Sequence, residues 1–160
     1  MTAPQRVLFV CLGNICRSPS AETVFASRVA DAGLVDIIEV DSCGTAGWHV
    51  GDRPHRQTLS ALARKGYSTS HRGRQLVARD LDHFDVVCVM DAANLADVRR
   101  LARTDAQRSK VRLLRSFDST SSPDAEVPDP YGYDDAFFDE VLTIIERACD
   151  GLMESISASR

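Results

Sequence analysis

The stretch Val7-Leu8-Phe9-Val10-Cys11-Leu12-Gly13-Asn14-Ile15-Cys16-Arg17-Ser18-Pro19 constrains this chain more than any other. An apolar run ends at a cysteine, an arginine follows six residues later, and Ser18-Pro19 opens an amphipathic helical pattern. That order reads as strand, tight loop, helix. Proline suits the first turn of a helix and serine suits the N-cap, so the helix is expected to start near Pro19 with Ser18 as its cap. A loop of this kind turns backbone N–H groups into a shared concavity, beside the positive end of a helix dipole, and so makes an anion site. Arg17 adds a planar fork able to take two phosphoryl oxygens. The same field favours a nucleophilic thiolate at Cys11. A thiolate inside a phosphate cradle points to phosphoryl transfer to cysteine.

The remaining chain reads as alternating strands and helices. Residues 6–11 are too apolar for a strand with one wet face. The first helix is expected over 19–32, with Ala21, Phe25, Val29 and Ala32 at helical spacing and Gly33 as terminator. Residues 37–40 read as a second strand, ending near Ser42. A glycine-rich loop around Trp48 is expected over 43–54, then a helix over 55–65 with Leu59 and Leu62 inward. Residues 67–74 look irregular and 81–84 look like a helical turn. A third buried strand is expected over 85–90, a helix over 92–102 on Leu95, Val98 and Leu101, and a fourth strand over 111–114. Residues 116–132 form the longest patternless segment, and loops of that length in compact domains carry function or are disordered. The last helix begins near Asp134 and Asp135, whose charges suit a helix N-terminus. Phe138, Val141, Leu142, Ile145, Ala148 and Leu152 form its apolar stripe.

Such alternation implies a parallel sheet covered on both faces. Right-handed crossovers then leave a small doubly wound α/β fold of four strands, with the phosphate loop after the first, in a single domain over 1–160. Ligands in such folds sit at the carboxyl ends of strands, near a switch in strand order. Cys11, Ser42 and Asp91 all fall at expected strand ends. The net charge of −4 argues against nucleic-acid binding, which wants a basic footprint. No stretch approaches the ~20 apolar residues that span a membrane, and the apolar start is too short for a secretory signal. The cysteines at 11, 16, 43, 88 and 149 are odd in number, and Cys-x4-Cys lacks the second pair of a zinc framework. The expectation is a cytoplasmic protein with reduced thiols, no metal and no cofactor.

Val10-Cys11-Leu12-Gly13-Asn14-Ile15-Cys16-Arg17-Ser18-Pro19 resembles the signature of the low-molecular-weight protein tyrosine phosphatases. Asp129-Pro130-Tyr131 resembles that family's general-acid loop. Asp41-Ser42 with Gly44-Thr45-Ala46-Gly47-Trp48-His49, and Met90-Asp91 with Asn94, resemble further family blocks. The likeness runs roughly from Arg6 to Leu152 and is nearest to the actinobacterial members. It implies hydrolysis of phosphotyrosine, an aryl phosphate monoester, through a phosphocysteine intermediate without a metal. The implied nucleophile is Cys11, the implied phosphate ligand is Arg17, and the implied general acid and base is Asp129. Leu12, Gly13, Asn14, Ile15, Cys16, Arg17 and Ser18 then form the phosphate-binding loop. Asn14, Ser18, Ser42 and His71 become supporting residues, and Trp48 and Tyr131 become walls of the substrate crevice. The implied partners are phosphotyrosine-containing proteins, with inorganic phosphate or oxyanion inhibitors in the loop, and the chain is expected as a monomer. One departure bears on substrate preference: Gly132 stands where members often carry a second aromatic, with Tyr133 one residue later. Cys43 replaces a small apolar residue and is read as packing; His49 is read as a surface loop residue.

Two rivals share part of this pattern. Arsenate reductases of the same fold need resolving cysteines after the third strand, and the residues following Cys88 supply none. Phosphocysteine carriers of sugar-transport systems preserve the phosphocysteine, whereas Arg17 together with Asp129 favours hydrolysis. Cys16 is expected either as a small buried hydrophobe or as a redox partner that captures an oxidised Cys11 as a disulfide.

Overall fold

The computed structural model describes residues 5–159. Four parallel strands, β1 (Gln5–Cys11), β2 (Ile38–Gly44), β3 (Val86–Val89) and β4 (Val111–Leu113), lie in the order β2-β1-β3-β4. The chain leaves β1 towards one edge of the sheet and later returns to β1's other side. The carboxyl end of β1 is therefore the switch point, where a doubly wound sheet opens a crevice.

Helices α1 (Arg17–Asp31), α2 (Arg56–Arg64), α3 (Asp80–His83), α4 (Ala92–Leu101), α5 (Asp105–Ser109) and α6 (Asp135–Ala158) cover the two faces. Alternation along β1 sorts its side chains between them. Val7, Phe9 and Cys11 join a core with Val24 and Phe25 of α1, Leu62 of α2 and Leu142 and Ile145 of α6. Leu8 and Val10 face the other way, onto Cys43, Leu81, Val87, Val98 and Val111. Burial on both faces explains the unbroken apolar run of β1, and it aims Cys11 at the start of α1. The expected stripe of α6 is buried throughout and continues through Cys149 and Ile156. Among the described residues no helix is long and apolar enough to cross a membrane.

Several boundaries differ from the sequence reading. α1 begins at Arg17, its N-cap position is Cys16, and no side chain caps it. The Ser18 hydroxyl lies inside the first turn and turns back to Cys11, 2.9 Å away, so a tertiary partner outcompetes the local capping role. β2 runs on to Gly44, because its backbone keeps pairing with β1 as far as Cys11. A Cβ on Gly44 would lie 2.8 Å from Leu12 O and 3.0 Å from Ala46 O. Glycine therefore lets the end of β2 reach the phosphate loop. Beyond it, Gly44 bridges to Gln75 and its N–H donates to Arg74 O at 2.9 Å, which ties the end of the irregular segment to β2. In α2 the buried residues are Thr58, Ala61 and Leu62, with Leu59 only half-buried; in α4 Leu101 is exposed. α5 was not expected. It has five residues, none buried, and hence no periodic signal; Thr104 caps it by accepting from Gln107 N–H.

Candidate active site

Cys11 closes β1 and is buried. The loop after it curls until the Asn14 N–H donates to Cys11 Sγ at 3.3 Å. The curl holds Asn14 at φ 57°, a left-handed conformation that asparagine tolerates better than most residues with a side chain. The buried Asn14 amide is fully engaged. Its Nδ2 donates to Ser18 Oγ at 2.8 Å and Ser42 Oγ at 3.1 Å. Its Oδ1 accepts from Arg74 N–H at 3.0 Å and faces His71 Nε2 at 3.1 Å. Because Asn14 donates into Ser18 Oγ, the Ser18 proton is free to point at Cys11 Sγ, 2.9 Å away. Ser42 in turn donates to Glu22 Oε1 at 2.5 Å, and His71 Nδ1 lies 3.0 Å from the same oxygen. A single polar network thus runs from Glu22 to the Cys11 sulfur, and a satisfied buried network rigidifies its site.

Arg17 is 4% exposed. Its Nη1 donates to Asp91 Oδ2 at 2.8 Å and to Val127 O at 2.9 Å. The other oxygen of Asp91 accepts from Asn94 N–H at 2.8 Å and caps α4. Arg17 Nη2 lies 3.8 Å from Asp129 Oδ2. The Asp129 carboxylate is half exposed, and its Oδ1 accepts from Tyr131 N–H at 3.1 Å. These groups meet in a crevice of about 250 Å³. Cys11, Cys16 and Arg17 line its buried side, the half-buried Gly13 and Ile15 and the exposed Leu12 carry the loop outward, and Trp48, His49, Asp129 and Tyr131 line its rim. Trp48 and Tyr131 are 72% and 61% exposed, so both present aromatic faces to solvent beside the opening.

Cys16 is buried, and that burial pushes its thiol up to about 12, only partly offset by the Thr58 hydroxyl. It is therefore a neutral thiol near pH 7. Cys43 packs in the core between β2 and the α3–α4 face, as expected. His49 does reach the crevice, with Nδ1 3.1 Å from Asp52 Oδ2.

Of the residues expected at the site, Cys11, Leu12, Gly13, Ile15, Cys16, Arg17, Trp48, Asp129 and Tyr131 line the crevice; Asn14 and Ser18 bond directly to Cys11 Sγ, and Ser42 and His71 reach Cys11 through Asn14. Three further residues support the site: Asp91, Glu22 and His55. Asp91 anchors Arg17, and its capping pattern with Asn94 was a usable signal. Glu22 carries no local signal, because its partners are 20 or more residues distant. His55 touches Tyr131 from behind, with ring centroids 5.4 Å apart.

Comparison with known proteins agrees with this geometry. The family model described as low molecular weight phosphotyrosine protein phosphatase matches residues 6–160. A low molecular weight protein-tyrosine-phosphatase of Streptomyces coelicolor is 46% identical over 152 residues, 94% of this chain and 93% of that one. The crystal structure of YfkJ from Bacillus subtilis is similar with a TM-score of 0.91 at 39% identity, covering 99% of this chain and 98% of that one. The YwlE arginine phosphatase from Geobacillus stearothermophilus gives a TM-score of 0.83 at 26% identity, covering 98% and 95%. The chain belongs to the low molecular weight phosphotyrosine protein phosphatase family. The fold is shared by a neighbour named for a different substrate.

Proposed function

We propose that this chain hydrolyses phosphotyrosine monoesters in proteins through a phosphocysteine intermediate. The observation that carries the reading is the convergence of Cys11, the anchored Arg17 and the Asp129 carboxyl on one aromatic-walled crevice. The phosphoryl group sits in the loop formed by residues 12–18. Arg17 and the loop N–H groups offset the charge that builds on its oxygens. Cys11 Sγ attacks phosphorus, the bond to the phenolic oxygen breaks, and Asp129 gives its proton to that oxygen. The Asp129 carboxylate then takes a proton from water, whose oxygen attacks phosphorus. The S–P bond breaks, phosphate leaves, and the returning thiolate accepts the Ser18 hydrogen bond. Asn14, Ser42 and His71 hold the loop in shape, and the scheme uses no metal or cofactor.

The walls favour an aromatic ester, since Trp48 and Tyr131 can stack on a phenyl ring that spans the depth from rim to sulfur. Gly132, at φ 89°, turns Tyr133 away, onto Phe137 at 5.0 Å. Tyr131 is then the aromatic wall on that side. The chain acts as a monomer; its place is the cytoplasm, a reading that five free cysteines support. Inorganic phosphate and similar oxyanions compete for the loop. After mild peroxide, Cys16 captures the Cys11 sulfenic acid as a disulfide, slowly near pH 7 because its thiol stays protonated and faster in alkali. Peptide mass spectrometry after a peroxide pulse checks that link; equal rates at pH 7 and pH 9 would refute the role of Cys16 ionisation.

The test of the main reading is hydrolysis of p-nitrophenyl phosphate and of matched phosphotyrosine and phosphoserine peptides, with arsenate reduction followed in parallel. Cys11→Ser and Arg17→Ala are expected to abolish turnover, and acid-quenched wild type carries phosphate on Cys11. Arsenate reduction without ester hydrolysis would overturn the reading. So would more than a few per cent of activity in Cys11→Ser.

A further inference from the structure

His55 lies outside the crevice lining yet touches four parts of the site's frame. Its backbone N–H donates to Ile15 O at 2.8 Å, fastening the start of α2 to the phosphate loop. Its Nδ1 accepts from Gln57 N–H at 3.1 Å, so the imidazole itself caps α2 and its plane is fixed. One face stacks on Phe138 of α6, with centroids 5.7 Å apart and planes 14° apart. Tyr131 packs against it at 5.4 Å and 70°, an edge contact. Beside it, Gln57 Nε2 donates to Tyr133 O at 3.0 Å and Asp135 Oδ1 at 2.9 Å, holding the far end of the same loop.

We infer that His55 is a positioning residue for the acid loop: it carries Tyr131, and with it Asp129, in register with the phosphate loop. The link to Asp129 runs through Tyr131. The Tyr131 N–H that follows the ring's placement donates to Asp129 Oδ1 at 3.1 Å. Most of this loop is exposed, with Pro130 its buried residue, so contacts on its inner side place it. A histidine does here what neither a usual cap nor an aromatic does alone, since asparagine or aspartate caps without stacking and phenylalanine stacks without capping. Capping requires Nδ1 to carry no proton, and burial, with Arg56 and His49 adding to it, lowers the pKa of His55 and keeps the ring neutral. The inference rests on the proposed hydrolysis for its kinetic test, but not for its spectroscopic one.

Two variants separate the roles. His55→Asn keeps the cap and removes the ring. It is expected to raise KM and to lower kcat for aryl phosphates with poor leaving groups, by about 2- to 12-fold, the range one aromatic pair controls, while kcat with p-nitrophenyl phosphate changes little. His55→Phe keeps the ring and removes the cap; it lowers the unfolding midpoint but recovers kcat and KM. The chain's three tyrosines, Tyr67, Tyr131 and Tyr133, allow 3-fluorotyrosine labelling with one resonance each. His55→Asn shifts the Tyr131 resonance and leaves that of Tyr67, bonded to Glu146 elsewhere, in place. An unmoved Tyr131 resonance overturns the inference, as do wild-type kinetics in His55→Asn across the leaving-group series, or equal impairment in His55→Phe. Wild type that hydrolyses no aryl phosphate defeats the proposed function instead, and the fluorine spectrum still decides where Tyr131 is held.

Discussion

Replacing Asn14 separates backbone strain from hydrogen bonding in the phosphate loop. Asn14→Ala deletes two donations, to Ser18 Oγ and Ser42 Oγ, and two acceptances, from Arg74 N–H and facing His71 Nε2. The serines keep other partners, Cys11 and Glu22, so those losses cost about 0.5–1.5 kcal/mol each. Arg74 N–H and His71 Nε2 lose their acceptor, at about 1–3 kcal/mol each. Alanine at φ 57° adds about 1–2 kcal/mol of strain. The sum is on the order of 4–11 kcal/mol, a large part of the ~5–15 kcal/mol that holds such a domain. Asn14→Gly loses the same hydrogen bonds without the strain. It is therefore expected to be more stable than Asn14→Ala by about 1 kcal/mol, or about 2–4 °C in Tm for a chain of this size, the reverse of the usual order of these two residues. Urea and thermal unfolding followed by circular dichroism measure the difference, and kcat on p-nitrophenyl phosphate measures the functional loss. An alanine variant as stable as the glycine variant would show that the left-handed turn stores no strain. A glycine variant with wild-type kcat would show that the amide does not set Ser18 against Cys11.

Other outcomes follow from the same geometry. Asp129→Ala is expected to lower kcat by about 10²–10⁴-fold for alkyl or poor aryl leaving groups and far less for good ones; an equal loss across the series assigns the proton to another group. Trp48→Ala is expected to raise KM for phosphotyrosine peptides and leave kcat largely intact, and steady-state kinetics with an unchanged KM remove this wall from the binding site. Gly44→Ala drives a Cβ towards Leu12 O and Ala46 O, so it should cost activity through the loop, with phosphate affinity by calorimetry falling alongside; unaltered phosphate binding contradicts that close approach. Stability should fall as pH rises above about 9. The unfolded chain there loses thiol protons that the buried Cys16 retains up to about 12, which favours unfolding. One thiol contributes at most about 1.4 kcal/mol per pH unit, and Cys16→Ser should flatten the alkaline fall in the urea midpoint; an unchanged slope between pH 9 and pH 11 excludes Cys16 as a source.

The features legible in the sequence were those whose causes are local or periodic. The run before Cys11 announces a doubly buried strand, and the stripe from Phe138 to Leu152 announces α6, because burial repeats at a period the chain displays. Cys11 and Arg17 could be paired because one short loop joins them. The start of α1 departs from the local pattern for the opposite reason. Ser18 beside Pro19 satisfies the local rule for a cap, yet Asn14 and Cys11 draw its hydroxyl into a tertiary contact. α5 buries nothing and so has no pattern to read. Glu22 and His55 act on groups brought near by the sheet and by α6, and no spacing along the chain records such a meeting.

The tie between Arg17 and Asp91 has a kinetic meaning. An arginine side chain carries about 2 kcal/mol of rotamer entropy, and here that freedom is surrendered when the protein folds, since Asp91 and Val127 O already fix Nη1. An arriving phosphoryl group meets a guanidinium that is already held in place. Binding then costs no ordering of Arg17, which favours fast association. The tether also shares the guanidinium charge with a resident carboxylate, so the loop grips a free dianion less firmly than an unshared arginine would. A site that binds the same group at the start and end of each cycle gains from both effects: quick capture, and release of product phosphate before it blocks the next turnover.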